Sequence, residues 1–154
     1  NGINEYIEQI SWMFFLKVFE DLEKRFENNA VLSGHSYSRI IKKEFSWSVW
    51  TQTNSRTIIE YVDEKLFPYL SSLSGTPEKN TIGLIFTKIK KNKMESAANF
   101  KDVIEIFDKS DFNNPDDSHT LSQFYEDMLL KLGKESGIAG EFYTPRPIVK
   151  LMVN

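Results

Sequence analysis

The sequence predicts a mainly α fold, a bundle of helices around an aromatic core. The first observation is a run of apolar residues at steps of three and four from Ile3 to Phe26, which places them on one face of a helix. The second is a series of polar residues that can cap further helices downstream. The third is the composition, because 14% of the residues are aromatic, 12 of them phenylalanine, and such rings fill cores well.

Composition places the 154-residue chain among ordinary globular proteins, with 40% hydrophobic and 27% charged residues. We expect one domain with a sizeable core, followed by a short stub. The absence of cysteine excludes disulfides, thiolate metal sites and a cysteine nucleophile, and it agrees with a cytoplasmic location. His35 and His119 are too isolated to form a zinc site, so we expect no metal. The net charge of −3 gives no general attraction to nucleic acid, and any DNA contact requires a local patch.

The first helix is predicted from about residue 3 to about residue 28. Between Trp12 and Phe19 it is apolar nearly all round, so this part should be buried in the middle of the bundle. From Glu20 onward the pattern turns charged, which indicates that the end of the helix emerges into solvent; the charged residues are Glu20, Asp21, Glu23, Lys24 and Arg25. Lys17 interrupts the apolar run far short of the length of a membrane span, and no signal peptide is visible.

Residues 45–50 leave two interpretations open. Phe45, Trp47 and Val49 alternate with polar residues as in a strand, whereas Trp47 and Trp50 lie three residues apart, which suits one helical turn. In either case we expect the two tryptophans to pack at the rim of the bundle. The alternative is that they contact a partner or a base.

The next helix is predicted after a polar cap. Asn54 or Ser55 can cap a helix whose apolar face extends to Leu66, and Pro68 should end it. Residues 71–80 contain serines, a glycine and a proline, so we expect them to form a surface loop.

Residues 82–89 fit a short helix or a strand equally well. They lead into the most basic window of the chain, formed by Lys88, Lys90, Lys91 and Lys93. This cluster of positive charges can contact DNA phosphates, with an affinity that depends on salt and not on base sequence. The alternative is a solvated helix end without a ligand.

Two more helices are predicted before the end of the chain. Asn99 can open the first, which has Phe100, Val103, Ile104 and Phe107 on one face. Thr120 and Gln123 can form a capping box for the second, and Gly133 should end it with a left-handed cap.

The last segment is Gly140-Glu141-Phe142-Tyr143-Thr144-Pro145-Arg146-Pro147, followed by apolar residues. Each proline fixes its own φ and holds the residue before it extended, so Thr144 and Arg146 should be extended. Pro147 suits the first turn of a helix, where a missing N–H costs nothing. Taken alone, such a pattern is typical of a loop that leads into a core helix.

The whole string resembles the first cofactor-contacting segment of the modification subunit of Type I restriction-modification enzymes. In that family a G-x-[FY]-[FY]-T-P-R-x string joins an N-terminal helical domain to the methyltransferase domain. Residues 6–17 and 21–23 are similar to the opening helix of the family. Residues 66–73, 82–86 and 121–126 keep its order and spacing, so the resemblance covers nearly the whole chain.

This resemblance implies an N-terminal helical domain over residues 1–135. Residues 136–154 would be a linker and the first helix of an α/β methyltransferase domain that continues beyond this chain. The complete protein would transfer a methyl group from S-adenosylmethionine to N6 of adenine in DNA. Carried over by position, the residues that border the cofactor are Glu141, Phe142, Tyr143, Thr144, Pro145 and Arg146. The implied partners are a specificity subunit, a second modification subunit, a restriction subunit and double-stranded DNA bound through the complex, with no membrane involved.

Two motifs of a working enzyme do not occur in this sequence. They are the Asp-Pro-x-x-Gly-x-Gly loop that holds the cofactor and the Asn-Pro-Pro-aromatic motif that holds the target adenine. Asn114-Pro115-Asp116 lacks the second proline and the aromatic residue, so we assign it to a turn. We therefore expect no catalytic residue in this chain and no activity from it alone. The alternatives are a free-standing helical interaction module without enzyme activity and a fused Type IIG enzyme.

Overall fold

The structure is a computed structural model that describes residues 2–109, and every regular element in this range is helical. In chain order the elements are α1 (Gly2–Leu32), a 3-10 turn (Lys43–Phe45), α2 (Trp47–Trp50), α3 (Ile58–Tyr61), a π turn (Val62–Leu66), α4 (Phe67–Ser71), α5 (Pro77–Ile89) and α6 (Ala97–Asp108). The predicted mainly α fold is confirmed for this range. The predicted boundary at residue 135, the helix from Thr120 and the stub over residues 136–154 lie outside the described residues.

The centre of α1 is the axis of the core, as its sequence predicts. The residues there are at most 4% exposed, and they are Trp12, Met13, Phe14, Phe15, Leu16, Val18 and Phe19. Phe15 stacks on Phe19 with ring centroids 5.4 Å apart, and it also contacts Phe86 of α5. A helix that is apolar all round needs cover on every side, and the shorter helices provide it.

The prediction that the end of α1 emerges into solvent is confirmed for its last turn, where Val31 is 70% and Leu32 is 86% exposed, but it is wrong for the first charged turn after Phe19. Three acidic residues there are buried, namely Glu20, Asp21 and Glu23. The Glu23 carboxylate accepts hydrogen bonds from the backbone N–H groups of Ile40 (2.7 Å) and Ile41 (3.1 Å) and from the Tyr37 hydroxyl (2.8 Å). These donors compensate for much of the cost of removing a carboxylate from water. Burial nevertheless raises the pKa of Glu23 above its ordinary value, because desolvation outweighs the three hydrogen bonds.

Glu20 holds the start of α2 in a similar way. Its carboxylate accepts hydrogen bonds from the backbone N–H of Ser48 and from Lys24 Nζ (2.8 Å). Burial raises the pKa of Glu20, but the donors outweigh it and the net pKa is lowered. The acidic turn of α1 therefore anchors the segment from Tyr37 to Ser48 against this helix.

Residues 47–50 form one helical turn, which resolves the ambiguity between strand and helix. Trp47 and Trp50 are each 1% exposed, so the predicted position at the rim of the bundle is wrong. Trp50 packs on Trp12 of α1 (6.1 Å between ring centroids) and on Phe100 of α6 (6.3 Å). Both tryptophans are buried because α2 lies between α1 and α6, which cover its rings from two sides.

Pro68 does not end its helix, contrary to prediction, because the helix continues to Ser71. The π turn ends at Leu66, two residues before this proline, and its wider winding interrupts the i→i−4 ladder in which a proline would clash. The predicted capping residue is also wrong. The N-cap is Thr57, whereas the Asn54 side chain accepts from the backbone N–H of Arg56 (2.8 Å) in a turn ahead of the helix.

Residues 82–89 are helical, and α5 begins earlier than the sequence predicts. The Thr76 side chain caps it by accepting from the backbone N–H of Lys79 (3.2 Å), so the loop after Ser71 is shorter than predicted. Position 83, inside this helix, leaves no room for a side chain, because α5 packs closely against the residues that follow α4. A Cβ at this position would lie 2.5 Å from the backbone oxygen of Leu73.

The helix that the sequence predicts around residues 99–107 is α6. Its N-cap is Ser96, whose hydroxyl accepts from the backbone N–H of Asn99 (3.1 Å), so the predicted cap lies three residues too late. The predicted apolar face is confirmed, since Phe100 and Ile104 are buried and Val103 and Phe107 pack against the core.

Candidate nucleic-acid interface

The basic window lies where α5 ends. Lys88 is in the last turn of the helix, where positive charge is favourable near the negative end of the helix dipole. Residues 90–94 then form a short segment, here called the lysine loop, before α6 begins at Ala97. This loop is the candidate site because it contains three of the four lysines that the sequence singles out.

The lysine loop begins with a strained backbone. Lys90 has φ +71° and ψ −53°, and it is the one non-glycine residue with positive φ in the described range. The Lys91 N–H donates to the Ile89 carbonyl (2.9 Å), which makes Lys90 the centre of a γ-turn. A conformation of this kind costs about 1–3 kcal/mol for a residue with a side chain and persists only where the surroundings hold it.

Two side chains from other elements hold the lysine loop. Asp63 in the π turn accepts from the backbone N–H of Asn92 (2.9 Å), and Gln9 in α1 accepts from the backbone N–H of Lys93 (2.8 Å). The Asn92 side chain, 6% exposed, also bonds within the loop, donating to the Met94 carbonyl (2.6 Å) and accepting from the Met94 N–H (3.1 Å). The loop backbone is therefore fixed at Asn92 and at Lys93.

Gln9 connects this loop to the aromatic core. Its side-chain oxygen also accepts from the indole N–H of Trp12 (3.2 Å), and the residue is 2% exposed. Its amide nitrogen lies 3.5 Å from the Met13 sulfur. A change in the loop backbone is thus coupled to the packing of α1.

The four lysines are not equivalent. Lys90 and Lys91 are exposed and make no ion pair within the part of the chain that the structure describes. Lys93 is half-buried, with its Nζ 3.8 Å from a carboxylate oxygen of Glu8. Burial raises the pKa of Glu8, and the charge of Lys93 only partly opposes that shift. Lys88 is half-buried as well. Of the four lysines, Lys90 and Lys91 are therefore the most exposed to solvent.

Sequence reasoning found the lysines but missed the residues that position them. Gln9 and Lys93 are 84 residues apart, and Asp63 and Asn92 are 29 apart. No local periodicity connects such pairs. The one local signal is Asn92 itself, since asparagine is typical of turns in which a side chain bonds to nearby backbone.

The predicted cofactor-binding residues, Glu141, Phe142, Tyr143, Thr144, Pro145 and Arg146, lie outside the described residues. Within residues 2–109, an open groove beside Thr57 and Tyr61 has a volume of about 210 Å³. Pockets for drug-sized ligands usually exceed about 300 Å³, so we do not assign a cofactor to this groove.

The described residues contain no group of three or more His, Asp or Glu side chains arranged to hold a metal ion. Among the described helices, none combines the length and the apolar character needed to cross a lipid bilayer.

Comparison with family models divides the chain into two consecutive matches. Residues 2–107 match the HsdM N-terminal domain, and residues 116–154 match the N-6 DNA methylase family. Among curated proteins, the Type I restriction enzyme EcoEI methylase subunit of Escherichia coli is 30% identical over 161 residues, which cover 100% of this chain and 32% of that subunit.

Two solved structures share the fold. One chain, from a structural study of complex assembly and conformational transition in the type I R-M system, is 38% identical with a TM-score of 0.69 and is matched over 96% of this chain and 29% of its own length. The other, assigned as a modification subunit of a type I restriction enzyme from Vibrio vulnificus YJ016, is 30% identical with a TM-score of 0.72 and is matched over 99% of this chain and 35% of its own length. The chain thus spans about a third of the length of these relatives.

Proposed function

The chain belongs to the family of the HsdM N-terminal domain, and on this premise we propose that it serves as the helical domain of the modification subunit of a Type I restriction-modification enzyme. The complete protein transfers a methyl group from S-adenosylmethionine to N6 of adenine in DNA. The observation that carries this proposal is the order of the two matches, with an HsdM N-terminal domain over residues 2–107 followed by a match to the N-6 DNA methylase family over residues 116–154. A free-standing helical interaction module is not favoured, because it gives no reason for the second match.

Glu141, Phe142, Tyr143, Thr144, Pro145 and Arg146 are proposed to border the cofactor in the complete protein. All six lie inside the segment that matches the N-6 DNA methylase family. Their chemistry supports this role, because a proline-stiffened, extended segment leaves backbone groups free and two aromatic rings can pack against an adenine.

Replacing Thr144 and Pro145 by alanine in the full-length protein is expected to weaken S-adenosylmethionine binding about tenfold, since a loss of about 1.4 kcal/mol corresponds to that factor. Isothermal titration calorimetry measures the affinity, and thermal unfolding checks that the helical domain is intact. Thr81→Ala, at a threonine on the surface of α5, is the matched control and should bind the cofactor normally. An affinity equal to that of the wild type would remove these residues from the cofactor site.

The proposed assembly contains a specificity subunit, a second modification subunit and a restriction subunit, and it acts on double-stranded DNA in the cytoplasm. Two relatives support an assembly of several subunits, since one is a methylase subunit and another comes from a study of complex assembly. The helical domain contributes packing surfaces to these partners and a DNA contact through its lysines.

Within the proposed DNA contact we assign the main role to Lys90 and Lys91, with Lys88 and Lys93 in support. The exposure of Lys90 and Lys91 and their lack of ion pairs within residues 2–109 leave both charges available for phosphates. The net charge of the chain is −3, so this contact is local, and the rest of the assembly supplies the remaining affinity.

The double variant Lys90→Gln and Lys91→Gln, in the assembled methyltransferase, should bind DNA less tightly and with a weaker dependence on salt. The slope of log K against log[salt] is negative, and each lost lysine–phosphate interaction reduces its magnitude by about 0.9, so losing two reduces it by about 1.8. Fluorescence anisotropy at several salt concentrations measures both quantities. Lys42→Gln with Lys43→Gln changes two adjacent exposed lysines elsewhere and should leave the slope unchanged. Equal effects from both double variants would show only a general loss of positive charge.

A further inference from the structure

The backbone of the lysine loop is held by more hydrogen bonds from other elements than we expect for a helix end that is only solvated. Its backbone N–H groups at Asn92 and Lys93 are both held by side chains from distant elements, and its first residue is held in a strained γ-turn. Backbone strain of this kind is concentrated at functional sites, where the strained conformation is part of the function.

Among the three residues that hold the loop, Gln9, Asp63 and Asn92, Asp63 best separates an electrostatic role from a structural one. Its carboxylate bonds to the backbone of a loop rich in lysine, where a negative charge opposes the attraction of phosphates. If electrostatic attraction alone mattered, an acid at this place would be a disadvantage. Its hydrogen bond to the backbone N–H of Asn92 supplies a different reason for its presence.

We propose that Gln9, Asp63 and Asn92 are positioning residues, which hold the lysine loop so that Lys90 and Lys91 meet neighbouring DNA phosphates without a further ordering of the backbone. This inference rests on the proposed DNA contact. A lysine side chain already loses rotamer freedom when it contacts a phosphate. A backbone that is fixed before binding removes the additional cost of ordering the loop, which improves affinity without adding any contact.

Replacing Asp63 tests whether it acts through its charge or by positioning the loop, because the two roles predict opposite changes in DNA affinity. Asp63→Ala removes both the negative charge and the acceptor for Asn92. If Asp63 acts only as a charge, this variant binds DNA more tightly than the wild type. If Asp63 positions the loop, the variant binds about threefold to tenfold less tightly, because the loop must be ordered on binding. Asp63→Asn is the matched control, since it removes the charge and keeps an oxygen that can accept the hydrogen bond.

The measurement is DNA affinity of the assembled methyltransferase as a function of salt. The proposal predicts that Asp63→Ala weakens binding with an unchanged salt slope, because the same two lysines reach the same phosphates. Asp63→Asn should bind as tightly as the wild type or more tightly. Asn92→Ala loosens the loop from within and leaves the π turn in place, so it should weaken binding in the same manner and covers the case in which Asp63→Ala fails to fold.

The outcomes distinguish a failure of the positioning role from a failure of the proposed DNA contact. If Lys90→Gln with Lys91→Gln weakens binding while Asp63→Ala and Asn92→Ala do not, the DNA contact stands and the positioning role is overturned. If the lysine variant binds normally, the DNA contact itself is wrong and the positioning role falls with it. A lower salt slope in Asp63→Ala would show that fewer phosphates are neutralised and would also overturn the proposal.

Discussion

Replacing Trp12 by alanine is expected to lower the free energy of unfolding by about 4 kcal/mol, the largest effect of any single change in the described core. Trp12 is 1% exposed, and its ring contacts Phe67 edge-on at 4.9 Å and lies 6.1 Å from Trp50 and 6.2 Å from Phe100. The substitution removes a ring shared by four helical segments and leaves a cavity that the surrounding helices cannot fill by collapse. It also deprives Gln9 of the indole donor. Urea unfolding followed by circular dichroism measures the loss.

Two controls accompany this prediction. Trp12→Phe keeps an aromatic ring but has no indole N–H, so its loss should be roughly half that of alanine. Leu84→Ala removes a side chain from α5 that is 54% exposed, and its effect should stay within about 0.5 kcal/mol. A Trp12→Ala protein that is as stable as the Leu84 variant would contradict the central place of this ring.

Replacing Glu23 by alanine should lower the free energy of unfolding by about 3 kcal/mol, because removing one member of a buried charged network leaves its partners without bonds. The variant leaves three donors without their acceptor, the N–H groups of Ile40 and Ile41 and the Tyr37 hydroxyl. Urea unfolding of the full-length protein measures the change in the free energy of unfolding. Glu27→Ala is the control, since Glu27 lies one turn further along α1 in an ion pair with Arg39 at the surface and should matter far less.

The pH dependence of stability gives a second measurement on Glu23. Burial raises the pKa of this carboxyl in the folded protein above its value of 4.5 in the unfolded chain. Between these two pKa values the folded state retains a proton that the unfolded state has lost, so the contribution of Glu23 to stability decreases as the pH rises through this window. Glu23→Gln does not titrate and should lack this decrease. Parallel stability curves for wild type and Glu23→Gln would contradict the raised pKa.

The sequence predicted those features whose signals are local. The apolar spacing of α1 identified its buried centre, and the face of α6 containing Phe100 and Ile104 was correct, because helical periodicity is written in neighbouring residues. The family was recognisable from short strings at both ends of the chain, and its matches confirm that reading. The four lysines were identifiable as a charge cluster for the same reason.

The tertiary structure alone decided how polar groups are used. Charged residues at the end of α1 predict a solvated turn, yet Glu23 is buried because its donors come from a segment 17 and 18 residues away. A one-turn helix is too short to show a period, so the burial of Trp47 and Trp50 depends on the two helices that cover them. Gln9 reaches a loop 84 residues later. Local sequence determines which face of a helix is apolar, but the partner of a buried polar group is determined only when distant segments of the chain come together.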